Sequence, residues 1–186
     1  MTGDDATLAV IDALEMLGIP YMVVGSFSSN VYGVPRSTHD ADFVIQLGPH
    51  SVRSIADRLG PQFRLDPQMS FETVTMTTRH VLEVVGIPFK IELFQLSDDP
   101  HDQERFRRRL PVKLLDRGVY LPTAEDVIIT KLRWVSQGRR SKDWDDIRDV
   151  IAVQGERIDW DYVHSWCNRH GTRAVLDDIC RSIPPI

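Results

Sequence analysis

Within VVGSFSSNVYGVPRSTHDADFVI, residues 23–45, two pairs of residues have the types and spacing for chemistry. Asp40 and Asp42 stand one residue apart at the start of an apolar run. In a strand, side chains at i and i+2 share a face, so the two carboxylates point the same way with β-carbons roughly 7 Å apart. Like charges that close push each other toward protonation unless a cation lies between them. Magnesium is the natural partner, because it takes hard oxygen ligands and is commonly held by one or two carboxylates plus substrate phosphates. In two-metal sites the ions stand about 3.5 to 4 Å apart, a gap that a same-face pair and a third carboxylate can bracket. The second pair, Gly25 and Ser26, lies between an apolar strand and a short helix. Unsatisfied backbone N–H groups favour an anion there, the glycine lets a phosphate approach, and the serine hydroxyl can donate to it. The same dipeptide is also an everyday turn and cap. Arg36, in the loop between the pairs, adds a cation within the eighteen residues from Gly25 to Asp42. Anion cradle, cation and metal ligands are the parts that phosphoryl transfer needs, since positioning and charge neutralisation dominate its catalysis.

A third carboxylate should come from a neighbouring strand. In PFKIELFQL, Ile91 and Leu93 alternate with Lys90, Glu92 and Phe94, so Glu92 leaves the apolar face as Asp40 and Asp42 do. Glu92 is the choice ahead of Glu83 and Glu72, although a solvent-facing residue on a half-exposed strand has the same pattern. Lys131 interrupts the helical stripe of Val127, Ile128 and Val135. Burying an unpaired ammonium is costly, so it should reach a carboxylate, with Asp143 the first candidate, or a phosphate.

The elements that must position these groups follow from apolar spacing. Leu8, Ile11, Leu14 and Leu17 predict a first helix, capped by Asp4 or Asp5 and stopped by Gly18 and Pro20. A buried strand YMVVG, a short helix over 26–33, a VPRST loop and the strand DADFVIQL follow, then a helix through Val52, Ile55, Ala56 and Leu59. FETVTMTT, HVLEVV and PFKIELFQL read as strands, SDDPHDQERFRRR as containing a short helix, and PVKLLDRGVYLPT as two strands around an Asp116-Arg117-Gly118 turn. From Thr123, a cap with Asp126 three residues on, the pattern becomes helical near 124–136, 142–153, 159–169 and 172–181. The fold class is therefore α+β, with a mixed first two thirds and a helical last third.

At these residues the sequence resembles the nucleotidyltransferase superfamily with the DNA polymerase beta type fold. The matching positions are Val24-Gly25-Ser26, Asp40-Ala41-Asp42-Phe43 and Ile91-Glu92-Leu93. GSFSSNVYGVPRSTHDADF is similar to a small bacterial branch that includes abortive-infection type toxins, with Arg36 and Thr38 before the Asp pair. LPTAEDVIITKLRW and RSKDWDDIRDVI are similar to that branch's helical segment, which carries a lysine on one helix and an aspartate opening the next. The chain departs from the branch at Ser26 and Ser28, where glycine and alanine are commoner, and at Glu92, where aspartate is.

The resemblance implies a mixed sheet flanked by helices as the catalytic core, residues 1–122, and a C-terminal helical region, residues 123–186. It implies transfer of a nucleoside monophosphate from a nucleoside triphosphate (NTP) to an acceptor hydroxyl, on tRNA or protein, with two magnesium ions. Asp40, Asp42 and Glu92 would be catalytic and metal-binding, and Gly25, Ser26, Arg36 and Lys131 would bind the nucleotide. It also suggests a toxin with an antitoxin-like partner in a toxin-antitoxin or phage-defence system. The alternative is a catalytically inactive relative that binds nucleotide or protein.

Composition narrows the rest. The 186 residues are 42% apolar and 26% charged, as in an ordinary globular protein, and a net charge of −5 argues against coating nucleic acid by bulk electrostatics. Arg105, Arg107, Arg108 and Arg109, or Arg139, Arg140 and Lys142, could grip an RNA, but the acidic residues around them favour solvated faces. Cys167 and Cys180 lack metal-site or redox spacing and read as reduced thiols. With neither a leader-like N-terminus nor about 18 consecutive apolar residues, a cytoplasmic protein without a membrane partner is expected. Trp134, Trp144, Trp160 and Trp166 have the spacing of core residues, and His39 should point away from the Asp pair.

Overall fold

A capping box starts the chain. Thr2 accepts from the Asp5 backbone N–H while the Asp5 carboxylate accepts from the Thr2 N–H, opening helix α1 (Gly3–Met16). Thr2 is thus the cap, not Asp4 or Asp5, because the hydroxyl pairs reciprocally with the acid three residues on. The computed structural model describes residues 1–138 and 141–183. Among these, eight α-helices and eight strands form a mixed α+β fold.

The main sheet comprises β1 (Tyr21–Val24), β2 (Asp40–Ile45), β3 (Phe63–Leu65), β4 (Ser70–Glu72), β5 (Thr77–Val84) and β6 (Lys90–Gln95). Its order is β1-β2-β6-β5-β3, with β4 also on β5. The β2–β6 pair is parallel and the others antiparallel. The run FETVTMTT does not form one strand. β4 stops at Glu72, whose carboxylate accepts from the backbone N–H groups of Val74 and Thr75 and from the Thr75 hydroxyl, closing a turn before β5. The hairpin of β7 (Leu110–Leu114) and β8 (Arg117–Leu121) turns on Leu115 and Asp116, at φ of 50° and 61°. A two-residue turn with both φ positive fits the strand twist, so the bend falls earlier than the glycine suggested.

One sheet face carries Ala41, Phe43 and Ile45 of β2, Ile91 and Leu93 of β6, and Leu82 of β5, all inaccessible to solvent. They pack with Val10 and Leu14 of α1 and Ile55 of α3 (Val52–Leu59). Burial of each large aliphatic or aromatic side chain contributes about 1.5–3 kcal/mol. A second cluster joins α5 (Ala124–Gly138), α6 (Ser141–Gln154), α7 (Trp160–His170) and α8 (Arg173–Ser182) through Ile128, Leu132, Ile147, Val150, Val163, Leu176 and Ile179. Trp144, Trp160 and Trp166 pack against that cluster. The two clusters meet where α2 (Gly25–Tyr32) docks on α6. Gly33 lies so close to α6 that a β-carbon would stand 3.0 Å from the Val150 backbone nitrogen, and Tyr32 donates to the Pro122 carbonyl at 2.8 Å.

Helix α4 (Pro100–Arg108) is tied to α5 and α7 by one buried acid. Asp126, fully buried, accepts from Thr123 Oγ1 at 3.0 Å and Tyr162 Oη at 2.8 Å, and lies 3.1 Å from His101 Nε2. Burial alone would raise its carboxyl, but the His101, Tyr162 and Thr123 contacts outweigh that and hold it below the usual range. Asp126→Ala strands these partners without water. It should lower unfolding stability by roughly 3 kcal/mol, measured by guanidinium denaturation, with no change in helix content before the transition.

Candidate active site

The other face of the sheet is acidic at one end. Pairing places Val24 against Asp42, Asp42 against Glu92, and Glu92 against Val81, so these residues cross four strands in one row. Val24, Asp42 and Glu92 of this row floor a cleft of about 560 Å³ between the sheet and the helical region. Asp40, Asp42, Glu92, Gly25 and Ser26 line it from the sheet side, and Lys131, Trp134, Lys142 and Asp143 from α5 and α6. Beyond the acids the same face turns apolar, with Met22, Val24, Val44 and Phe106 in a small cluster.

Gly25 has a φ of +64°, and a β-carbon there would sit 1.9 Å from Asp42 Oδ2. The missing side chain therefore makes room for Asp42 as well as for any phosphate. Burial first, then the charges of Glu92 and Asp40, push the Asp42 carboxyl up to about 7. Thr38 Oγ1 donates to Asp40 Oδ1 at 2.6 Å and fixes the other acid. Glu92 is held by Arg79 of β5, whose Nη1 lies 3.2 Å from Oε2. Of the three glutamates weighed, Glu92 alone flanks Asp42. Glu72 closes the β4–β5 turn, and Glu83 pairs with exposed Arg64.

The donor set fits a divalent cation. Asp40 and Asp42 offer hard oxygens on one face, and burial with the charges of Glu92 and Asp40 raises the Asp42 carboxyl, which Lys131 and Lys142 offset only in part. Glu92 pairs with Arg79 while its charge still acts on Asp42. Among the described residues no three His, Cys, Asp or Glu side chains form a ready metal-ligand cluster.

Arg36 does not face the cleft floor. Its Nε and Nη2 grip Asp146 at 2.8 and 2.9 Å, and Nη2 also donates to Ser26 Oγ at 3.0 Å. Lys131 does line the cleft, and its Nζ lies 2.9 Å from Asp143 Oδ1 and 2.8 Å from Asp146 Oδ2. Asp146, buried and missed in the sequence, thus gathers Arg36, Lys131 and the Ser29 hydroxyl. Its signal was a carboxylate inside the Asp143, Ile147, Val150 stripe, the same irregularity that marked Lys131. Burial would raise the Asp146 carboxyl, but Arg36 and Lys131 bring it down to about 2.

Other expectations shift. Trp134 lines the cleft instead of joining the core, because α5 turns that face toward the sheet. The arginines of α4 are not a solvated face. Arg105 is buried against Asp102, Arg108 lies over the Tyr162 ring at 3.9 Å, and only Arg107 pairs outward, with Glu104. Arg139 and Arg140 lie outside the described residues. His39 is exposed.

No family model matches the chain. Lysophospholipase nte1 of Aspergillus terreus is 33% identical over 75 residues, 40% of this chain and 5% of that protein, so the chain spans about one twentieth of this relative's length. Solved structures agree over far more of it. The solution structure of the antibiotic-resistance factor ANT(2'')-Ia superposes with a TM-score of 0.64 at 12% identity, covering 96% of this chain and 97% of that one. The lincosamide antibiotic adenylyltransferase LnuA, lincomycin-bound, gives a TM-score of 0.52 at 12% identity over 79% and 95%. JHP933 from Helicobacter pylori gives 0.57 at 14% over 88% and 70%. The chain therefore has the fold of nucleotidyltransferases. Within that fold, its row of acids and its Gly25-Ser26 turn face a common cleft. No helix among the described residues is long and apolar enough to cross a membrane.

Two outcomes follow from this geometry. Gly25→Ala must shift Asp42 or the turn, and should cut divalent-cation binding, read by calorimetry, at least about tenfold. Asp146, with its folded carboxyl at about 2 against 3.8, adds stability that is fully present above pH 4 and is lost as pH falls toward 2. Asp146→Asn should flatten the acid limb of the melting temperature across that window, removing on the order of 2 kcal/mol.

Proposed function

We propose that this protein is a magnesium-dependent nucleotidyltransferase that moves a nucleoside monophosphate from an NTP to an acceptor hydroxyl and releases pyrophosphate. The observation that carries the reading is the contact of Asp42 with Gly25. The helix-opening turn suited to phosphate and the carboxylates suited to metal are built against each other. Asp40 and Asp42 would hold magnesium, and Glu92, oriented by Arg79, would accept the proton leaving the acceptor hydroxyl. The Gly25 and Ser26 region would receive the β and γ phosphates, and Lys131 would face the triphosphate from the opposite wall. Arg36 would act through Ser26, which it holds in place, and not by touching the nucleotide. When bound, magnesium would neutralise the acids and the triphosphate and polarise the reacting phosphoryl group.

The sequence resemblance points to an abortive-infection type toxin with a tRNA or protein acceptor and an antitoxin-like partner. Among proteins of this fold, ANT(2'')-Ia has been crystallised with adenylyl-2''-tobramycin, a nucleotide joined to a small molecule. What these readings share is a hydroxyl acceptor, and one assay separates them. Purified protein is incubated with magnesium, each labelled NTP, and in turn total tRNA, lysate protein and a small-molecule extract. Label should move to one fraction, and Asp42→Asn should reduce transfer about 100-fold or more. Equal transfer by the two proteins, or none in any fraction, rejects the enzyme reading.

A further inference from the structure

A second cavity, of about 580 Å³, adjoins the acids, and Asp40 and Glu92 line it as well as the cleft. Its other walls come from the start of β6, the end of β5 and the segment that joins them, with Arg64 of β3 at the far edge. Strand pairing sets the order. Asp40 stands against Lys90, Lys90 against Glu83, and Glu83 against Arg64. Gly25 follows Val24, the partner of Asp42, so the Gly25-Ser26 turn lies on the β1 side of the acids and the second cavity on the β5 and β3 side.

That order suits an in-line displacement, in which attacking and leaving oxygens stand on opposite sides of the phosphorus. With the β and γ phosphates at Gly25 and Ser26, as in the proposed function, pyrophosphate leaves toward β1. The attacking hydroxyl then has to come from the side of β5. Glu92, placed in that reading as the proton acceptor, borders the cavity from which such a hydroxyl would arrive.

The lining limits what can enter. The volume lies within the roughly 300–1,000 Å³ of small-molecule sites. The acids Asp40, Glu83 and Glu92 outnumber the cations Arg64 and Lys90, and Arg64 already donates to Glu83 through Nε at 2.9 Å. An RNA backbone is held by a surplus of cations, which this lining lacks. Lys90 is exposed and makes no ion pair or side-chain hydrogen bond among the described residues, so its ammonium is free to donate to an oxygen of a ligand. Val85, 60% exposed, and Ile87 give the same cavity an apolar side.

We infer that the second cavity binds the acceptor, and that the acceptor is a small molecule with a hydroxyl to be modified, a further oxygen group for Lys90 and an apolar part for Val85 and Ile87. The inference rests on the nucleotidyltransferase reading and adds the place and class of the second substrate. In the transfer step the acceptor's hydroxyl oxygen forms a bond to the α-phosphorus. The bond from that phosphorus to the bridging oxygen breaks, its electron pair leaves with pyrophosphate, and the hydroxyl proton passes to Glu92.

The test compares wild type, Val85→Trp and Lys90→Met. Each full chain is incubated with magnesium, each labelled NTP and, in turn, total tRNA, lysate protein and a small-molecule extract freed of both, and NTP binding with magnesium is measured by calorimetry. Label should move to the small-molecule extract. The extract concentration giving half the maximal rate should rise at least about tenfold in Val85→Trp, whose indole fills the cavity, and in Lys90→Met, which loses the charged donor. NTP affinity should stay within about twofold, because neither residue lines the cleft, and that constancy also reports that the variants fold. A wild type that labels tRNA or protein instead overturns the acceptor class. Unchanged half-saturation in both variants, or a loss of NTP affinity as large as the loss of transfer, overturns the second cavity as the acceptor site. Each of these leaves the enzyme reading intact, whereas no transfer to any fraction rejects that reading and the inference with it.

Discussion

The rest of the site depends on where the Asp146 carboxylate is held. It is buried, and it takes two donors from Arg36, one from Lys131 and one from Ser29. Those partners come from the loop before β2 and from nearby α2, and from α5 about a hundred residues further along the chain. Apolar packing alone fixes how far α6 stands from α2, through the Gly33 contact, but not which way the phosphate-type turn faces. A charge-assisted bidentate pair is directional, so Arg36 can reach Asp146 and Ser26 together in few arrangements. A buried pair of this kind adds little stability over an apolar pair of the same shape, and its value lies in specifying one arrangement.

The second constraint is the alternation of β2. A strand that opens with two acids can still be a central strand, because its other face carries Ala41, Phe43 and Ile45, none of them accessible to solvent. The apolar face supplies the stabilisation, and the acidic face bears the electrostatic cost that raises the Asp42 carboxyl. The acids sit at the cleft end of their face, while the other end is covered by Phe106 of α4. A single period-two pattern thus holds the strand in place and aims its carboxylates into the open cleft.

This pattern is why much of the fold was legible in the sequence. Residues repeating at two and at 3.6 identify most elements, and the same alternation puts Glu92 on the polar face of β6, while its place beside Asp42 comes from the parallel pairing of β2 with β6. What escaped reading depended on partners far along the chain. FETVTMTT looked continuous because a turn closed by a glutamate side chain leaves no glycine or proline behind. A loop arginine beside acids reads as a nucleotide contact because its partner is not visible in the sequence until α6, a hundred and ten residues on, brings Asp146 to it. Trp134 reads as core because helical spacing shows that a face is apolar, not whether it meets other helices or a cleft. Lys131 was legible in part, since an ammonium inside an apolar stripe demands a partner. Asp143 was foreseeable by sequence proximity, while Asp146 needed the same reasoning applied to the acids.

The way these groups pair limits how ligands can enter. On the cleft floor three acids, Asp40, Asp42 and Glu92, crowd together, and Arg79 pairs with one of them, Glu92. On the facing wall Lys131, shared with Asp143 and Asp146, and Lys142 offset the remaining charge only in part, since the Asp42 carboxyl stays raised. A triphosphate approaching that floor alone would meet net negative charge at close range in a partly desolvated cleft. In the proposed function, the substrate is therefore the metal–triphosphate complex and not the free nucleotide, because the cation's charge is what the floor lacks. Glu92 and Arg79 of β5 thus pair beside Asp42, and the Glu92 charge that remains adds to the push on the Asp42 carboxyl, which a bound cation would relieve.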